Sequence, residues 1–173
     1  MTENQETNAT HASLALQGQY LTFTLGSEIF GLPILSVQEI IGIMPVTRVP
    51  RTPDYVRGVI NLRGKVIPVI DLRVKFGFDA KEDTARTCII VVQVKHDGQT
   101  ITMGIIVDEV SEVLEIAASQ IEPPPAFGES VSVDFVMGMG KVGQRVVMLL
   151  DIGRVLTAAE LSATAQYAKD AGA

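Results

Sequence analysis

The apolar stretches of this 173-residue chain are of strand length, and turn signals separate them. Ile89-Ile90-Val91-Val92 and Val146-Val147-Met148-Leu149-Leu150 are typical. A membrane-spanning helix needs about 20 apolar residues in a row, and no stretch approaches that. Short β-branched runs bounded by Gly, Asn and Asp predict hairpins instead. Residues 20–25 return through 29–32 around Gly26-Ser27-Glu28. Residues 59–62 return through 66–70 around Arg63-Gly64-Lys65, and Pro68 marks an edge or a bulge. Residues 88–94 return through 100–107 around Asp97-Gly98. Residues 135–139 return through 146–150 around Gly140 to Gly143. A bent strand is expected over 110–114.

Helix is expected in small amounts. Ile34, Val37, Ile40 and Ile41 recur at spacings of three and four, which predicts a short helical connector over 33–41 with Pro33 near its start. Asp71 is placed to cap a segment over 72–76, and Asp151 to open a helix through Leu161. Residues 1–18 are polar and aperiodic and read as a disordered tail. Lys81-Glu82-Asp83 reads as a linker, and 116–133 as mostly loop.

The two halves echo one another. Gly31 to Ile41 sets against Gly104 to Leu114 without a gap, sharing Gly, apolar residues, Val, any residue, Glu and two apolar residues. Val69-Ile70-Asp71-Leu72 sets against Leu149-Leu150-Asp151-Ile152. Each half runs hairpin, bent connector, loop, hairpin, Asp, short helix. A duplication of this kind predicts two similar small β-barrels, each of about five short strands.

Composition removes whole classes of function. Hydrophobic residues make up 47% and aromatics only 5%, so the apolar mass is Val, Ile, Leu and Ala. That excludes a disordered chain. A net charge of −6 disfavours nucleic acid and anionic membranes, which call for a basic face. One cysteine, Cys88, excludes an internal disulfide and a cysteine metal cluster. The N-terminus carries acids and lacks a basic, apolar leader pattern, so a cytoplasmic protein is expected. Asn8-Ala9-Thr10 is read as a chance match to a glycosylation triplet.

Catalytic constellations are thin. Asp71 and Asp151 read as helix caps rather than as a proton-sharing dyad. His96 reads as a solvated turn residue, and His11 lies in the tail. Cys88 reads as a small buried hydrophobe. Gly138-Met139-Gly140 with Gly143 sits in a hairpin, not between a strand and a long helix, so it is no phosphate loop. Asp108, Glu109 and Glu112 lack the loop of a calcium site, and Pro123-Pro124-Pro125 is too short for a proline-rich ligand. No cofactor and no metal are expected. Asn61 and Arg63 share one strand face, and Glu39 on the connector is the expected carboxylate partner of Arg63.

These stretches together resemble the CheW family of chemotaxis coupling proteins. The resemblance rests on Gly31, on Leu35-Ser36-Val37-Gln38-Glu39-Ile40, on the block from Arg51 through Gly64, on Val66 through Arg73, and on Gly104 through Leu114. It covers residues 19–160, and the block from Gly58 to Asp71 is its most specific part. The resemblance implies a mainly β fold of two intertwined, SH3-like five-stranded β-barrels with short helices and a C-terminal helix. It implies a boundary near 80–86 with segments exchanged, and a helix end or tail over 161–173.

It also implies an adaptor without catalysis. Such proteins join the cytoplasmic tips of methyl-accepting chemoreceptors to the histidine kinase CheA. The regulatory domain of CheA has the same fold, the two pair through barrel ends in receptor arrays, and contacts between CheW copies also belong to that picture. The domain recurs in CheA itself and in CheV, but a chain of 173 residues has no room for a kinase core or a receiver domain, which implies a stand-alone coupler. Receptor contacts carried to matching positions fall on Val37, Glu39, Ile40, Gly58, Asn61, Arg63, Cys88 and Val113. Cys88 stands where the family often has an aliphatic residue. Kinase contacts are expected on loops and exposed apolar edges, at positions the motifs do not fix. Localisation is expected to be cytoplasmic, with recruitment to the inner membrane face through receptors. Two other readings stay open from the residues: a small-molecule-binding or enzymatic β-barrel, and a coupler in another array-type pathway such as twitching or biofilm signalling.

Overall fold

The computed structural model describes residues 14–78, 82–124 and 135–172. His11, the Asn8 triplet, Lys81 and Pro125 lie outside them. The described chain forms eleven strands: β1 Gly18–Leu25, β2 Glu28–Pro33, β3 Val37–Gly42, β4 Val56–Leu62, β5 Lys65–Asp71, β6 Cys88–His96, β7 Gln99–Val107, β8 Glu109–Ile116, β9 Ile121–Glu122, β10 Val136–Val142 and β11 Arg145–Leu150. Three helices follow the second and fourth hairpins: α1 Leu72–Lys75, α2 Ile152–Val155 and α3 Ala158–Gly172.

The strands make two sheets, ordered β8-β1-β2-β11-β10-β9 and β3-β6-β7-β5-β4. The second is continuous in sequence. The first takes its β1–β2 hairpin from the start of the chain and the rest from the end. The chain therefore crosses between sheets twice, once from β2 to β3 and once from β7 to β8. Those crossings are the two copies of the sequence echo. The ladders keep the same correspondence: parallel β11 and β2 align Leu149 with Gly31, and parallel β5 and β7 align Val69 with Gly104. Matching bulges fall between Val56 and Gly58 and between Val136 and Gly138.

The ladders are open rather than closed into barrels. The gap between edge strands β3 and β4 is spanned by Thr47, which exchanges two backbone hydrogen bonds of 2.8 Å with Val59. In the other sheet, short β9 does this work against β10.

Three apolar cores explain the composition. Ile60, Ile67, Val69, Ile89, Val91 and Ile106 fill the concave side of the second sheet. Tyr20, Ile116, Ile121, Val147 and Leu149 fill that of the first. A larger core lies between the sheets and includes Leu21, Phe23, Phe30 and Leu32 from one and Ile90, Val92, Val94, Met103 and Ile105 from the other. Strand β6 shows the logic: Ile89 and Val91 point into their own sheet's core while Ile90 and Val92 enter the shared one. A strand buried on both faces reads as an unbroken apolar run.

Some expectations are corrected. Residues 34–36 form one 3-10 turn and 37–42 a strand, not a helical connector. β-branched Val37, Ile40 and Ile41 pair with β6 instead, and alternation turns Ile40 outward. The C-terminal helix is two helices. The break at Thr157 is held by a capping box, in which the Thr157 N–H donates to Glu160 Oε1 at 2.9 Å and the Glu160 N–H donates to Thr157 Oγ1 at 3.1 Å. Residues 14–18, read with the tail, include the opening of β1, and Leu16 packs on the first sheet's core.

A buried ion cluster joins the parts. Arg73 is 1% exposed. Its Nε and Nη2 donate to Asp71 at 2.9 and 3.0 Å, Nη2 also donates to Asp83 at 3.0 Å, and Nη1 donates to Asp108 at 3.2 Å. Arg57 donates to Asp71 and Asp83, each at 3.0 Å. Asp108 also accepts from the Gly26 N–H at 2.7 Å, so the cluster reaches the β1–β2 turn. Both expected caps are present: Asp71 accepts from the Arg73 N–H and Asp151 from the Gly153 N–H. Burial pushes the Asp71 carboxyl up, but hydrogen bonds from Arg73 and Arg57 outweigh it and hold it below its ordinary value. The Arg57 hydrogen bond is the largest influence on Asp83 and also lowers it.

Glu160 anchors α3. Its carboxylate accepts from Lys75 Nζ at 2.7 Å, and that ammonium lies 4.6 Å from the Tyr55 ring centroid. Burial raises the Glu160 carboxyl, yet Lys75, the Thr157 N–H and Tyr55 bring it down to about 2.

Two predictions follow from these charges. Arg73→Met leaves three carboxylates clustered around an apolar side chain and is expected to cost about 3–5 kcal/mol, read from the urea midpoint at pH 7. Glu160 has its folded value below its ordinary 4.5, so its contribution is full above pH 4.5 and is lost as pH falls toward 2. Urea unfolding should therefore find Glu160→Gln destabilised by roughly 1 kcal/mol at pH 7, and the difference should shrink toward zero near pH 2.5.

Candidate functional site

The β4–β5 turn shows how sequence sets local geometry. Arg63 takes φ 53° and Gly64 φ 86°. Asn61 holds this turn by accepting the Gly64 N–H on Oδ1 at 2.8 Å. The left-handed residue carries a long side chain, and it projects across the gap between β4 and β3. There Arg63 Nη1 and Nη2 donate to Glu39 Oε1 and Oε2 at 2.8 and 2.7 Å. This is a fork-to-fork pair, the most directional contact these groups make. The Glu39 hydrogen bonds raise the Arg63 pKa. The pair lies on the surface, with the Arg63 side chain 73% exposed, so it organises that surface more than it stabilises the fold.

Ile40 follows Glu39 on the edge strand and is 44% exposed. Val37 sits at the register shift that precedes Glu39, half-buried against the shared core. Cys88 opens β6 opposite Gly42, half-buried, and its thiol donates to the Arg86 carbonyl at 3.2 Å. These residues share the β3–β6 side of the second sheet. Val113 lies on β8 of the other sheet, opposite Leu21, and is 47% exposed. By the echo it is the counterpart of Ile40.

Gly58 is buried, at φ 146°, and a Cβ there would lie 2.1 Å from the Thr47 carbonyl oxygen. The backbone that approaches it is the chain's own: Gly58 makes room for the strap that closes the gap beneath the Arg63–Glu39 pair.

Other surface features went unread in the sequence. Leu35 is 98% exposed on the 3-10 turn, and Ile43 and Val146 are also exposed. Asp108, weighed as a loose calcium ligand, is instead a partner of Arg73 and Gly26. His96 bonds Ser162 of α3 at 3.0 Å.

The edge-strand surface therefore has an ion pair, exposed aliphatic residues and no convergent set of reacting groups among the described residues. Comparison with known proteins gives it a family. The model of the CheW-like domain matches residues 19–160. The chain belongs to the CheW-like family. The chemotaxis protein CheW of Klebsiella aerogenes is 42% identical over 151 residues, covering 87% of this chain and 89% of that protein. The chemotaxis protein CheW of Helicobacter pylori is 38% identical over 140 residues, covering 80% of this chain and 81% of that one. Among solved structures, the scaffolding protein TtCheW from Thermoanaerobacter tengcongensis superposes with a TM-score of 0.73 at 34% identity, covering 84% of this chain and 97% of that one. The resemblance implies a mainly β fold of two five-stranded β-barrels; the fold found is mainly β and consistent with it, with two open sheets of six and five strands. As a family member the chain is a scaffold and not an enzyme.

Gly58→Ala tests the strap. It forces Cβ against the Thr47 carbonyl and is expected to cost about 3 kcal/mol in urea unfolding. Gly143→Ala, at φ 62° with nothing within 4 Å of its Cβ, should cost about 1 kcal/mol or a little more.

Proposed function

We propose that this chain couples the cytoplasmic tips of methyl-accepting chemoreceptors to the histidine kinase CheA. Family membership makes it a non-catalytic coupling adaptor of chemotaxis, and the relatives named above carry chemotaxis and scaffolding in their names. The finer reading concerns which partners it joins and where. The observation that carries it is the edge of β3, where exposed Ile40 stands beside a carboxylate already held by Arg63. A receptor tip is a helical hairpin, and such a partner fits an aliphatic strip flanked by fixed polar guides. Val37 and Ile40 supply the strip, Glu39 and Arg63 the guides, and Asn61 sets the turn that aims Arg63. Gly58 acts through the strap, Cys88 as an apolar neighbour, and Val113 as the matching aliphatic on the other sheet. No described helix is long and apolar enough to cross a membrane. Residence in the cytoplasm, with recruitment to the inner membrane face through receptors, completes the proposal.

The exposed apolar residues, and the lack of a convergent polar set on the edge-strand surface among the described residues, favour this reading over a small-molecule or enzymatic barrel. Titration of the full chain with a receptor cytoplasmic fragment and with the CheA regulatory domain is the test, and retention of neither overturns it. On the receptor fragment, Ile40→Ala should weaken binding about tenfold. Arg63→Ala and Glu39→Ala should each weaken it, and the double variant should lose less than the product of the two losses. A product with no coupling would separate the pair from receptor binding.

A further inference from the structure

The echo that relates the two sheets leaves one charge without its partner. Glu39-Ile40 on β3 corresponds to Glu112-Val113 on β8, and both are edge strands. The structure prepares Glu112 with care. The buried Thr22 hydroxyl accepts from the Glu112 N–H at 3.2 Å and donates to the Glu112 carbonyl at 2.7 Å, which fixes the residue at the bulge in β8. In the second sheet the matching carboxylate is held by Arg63. In the first sheet Arg63 corresponds to Gly143, which keeps the left-handed turn (φ 62° against 53°) but has no side chain. The nearby Lys141 is taken by Glu122 at 2.7 Å. Among the described residues no cation bridges the Glu112 carboxylate, which is exposed beside exposed Val113.

We propose that the cation is supplied in trans: Glu112 receives an arginine or lysine of the receptor tip, while Val113 packs on the aliphatic part of the same helix. This rests on the coupling reading above. It gives the docking surface two unlike ends, one whose carboxylate is paired within the chain and one whose carboxylate is open to a positive charge from outside. An asymmetric pair of ends fixes which way a helical partner lies, since reversing it would leave Glu112 facing no cation.

The test is titration of the full chain with a receptor cytoplasmic fragment at low and at moderate salt. Glu112→Gln should weaken binding about three- to tenfold at low salt and flatten its salt dependence. Gly143→Arg returns the arginine to its corresponding position, where nothing lies within 4 Å of the new Cβ. It should satisfy Glu112 internally and weaken binding by a similar factor, with no further effect in the Glu112→Gln background. Wild-type binding unchanged by Glu112→Gln overturns the proposal, as does a Gly143→Arg loss that persists in full without Glu112. A wild-type chain that binds no receptor fragment overturns the coupling reading instead and takes this inference with it. Unchanged urea midpoints for Glu112→Gln confirm that its effect is on binding.

Discussion

Arg73 is the contact on which the arrangement of this molecule depends. A guanidinium excluded from water is costly unless each donor direction meets an acceptor. Here three carboxylates from three separate places meet it: Asp71 at the end of β5, Asp83 in the segment leading to β6, and Asp108 at the crossing from β7 to β8. Asp108 extends the contact to the β1–β2 turn through Gly26. The cluster therefore ties the end of β5, the connection from β5 to β6 and the first sheet's leading hairpin to one point. Arg57 adds a second cation, so three negative charges are held by two positive ones. Apolar burial is non-directional, and these charge contacts add fixed geometry between the parts.

The two sheets share topology and divide labour. Both place a parallel pair at the centre, both carry a bulge next to a glycine, and both end in an Asp-capped helix. The differences are single side chains. Arg63 corresponds to Gly143 and Arg73 to Gly153, so the second sheet holds the surface ion pair and the buried cluster while the first has the bare turn. An adaptor without catalysis has only its surface to work with, and these substitutions make two copies of one surface chemically unlike.

Much of this was legible in the residues. The hairpins announced themselves through Asp97-Gly98 and Arg63-Gly64, and both Asp caps through their place between strand and helix. The Arg63–Glu39 pair followed from strand periodicity and the reach of a guanidinium. The segment 33–41 reads as helix because Ile34, Val37, Ile40 and Ile41 satisfy helical spacing, and only pairing with β6 decides for a strand. The Arg73 cluster is hidden because only Asp71 is local to Arg73; Asp83 and Asp108 lie 10 and 35 residues away and carry no motif that names Arg73 as their partner. Gly58 stands in the sequence only as a position carried over from the resemblance, and no local signal names Thr47 as the backbone that arrives there.

The double crossing has a consequence for the order in which the molecule is made. Strands β3 to β7 are consecutive, so their sheet can be completed once Val107 has left the ribosome. The hairpin β1–β2 emerges first of all, yet its parallel neighbour β11 is synthesised last. From the completion of that sheet until β11 emerges, the hairpin can rest Phe23, Phe30 and Leu32 on it while its free edge waits for a strand from the far end of the chain. The shared core is thus a holding surface before it is a finished interior, and a chain cut short before β11 presents an open edge rather than half a working adaptor.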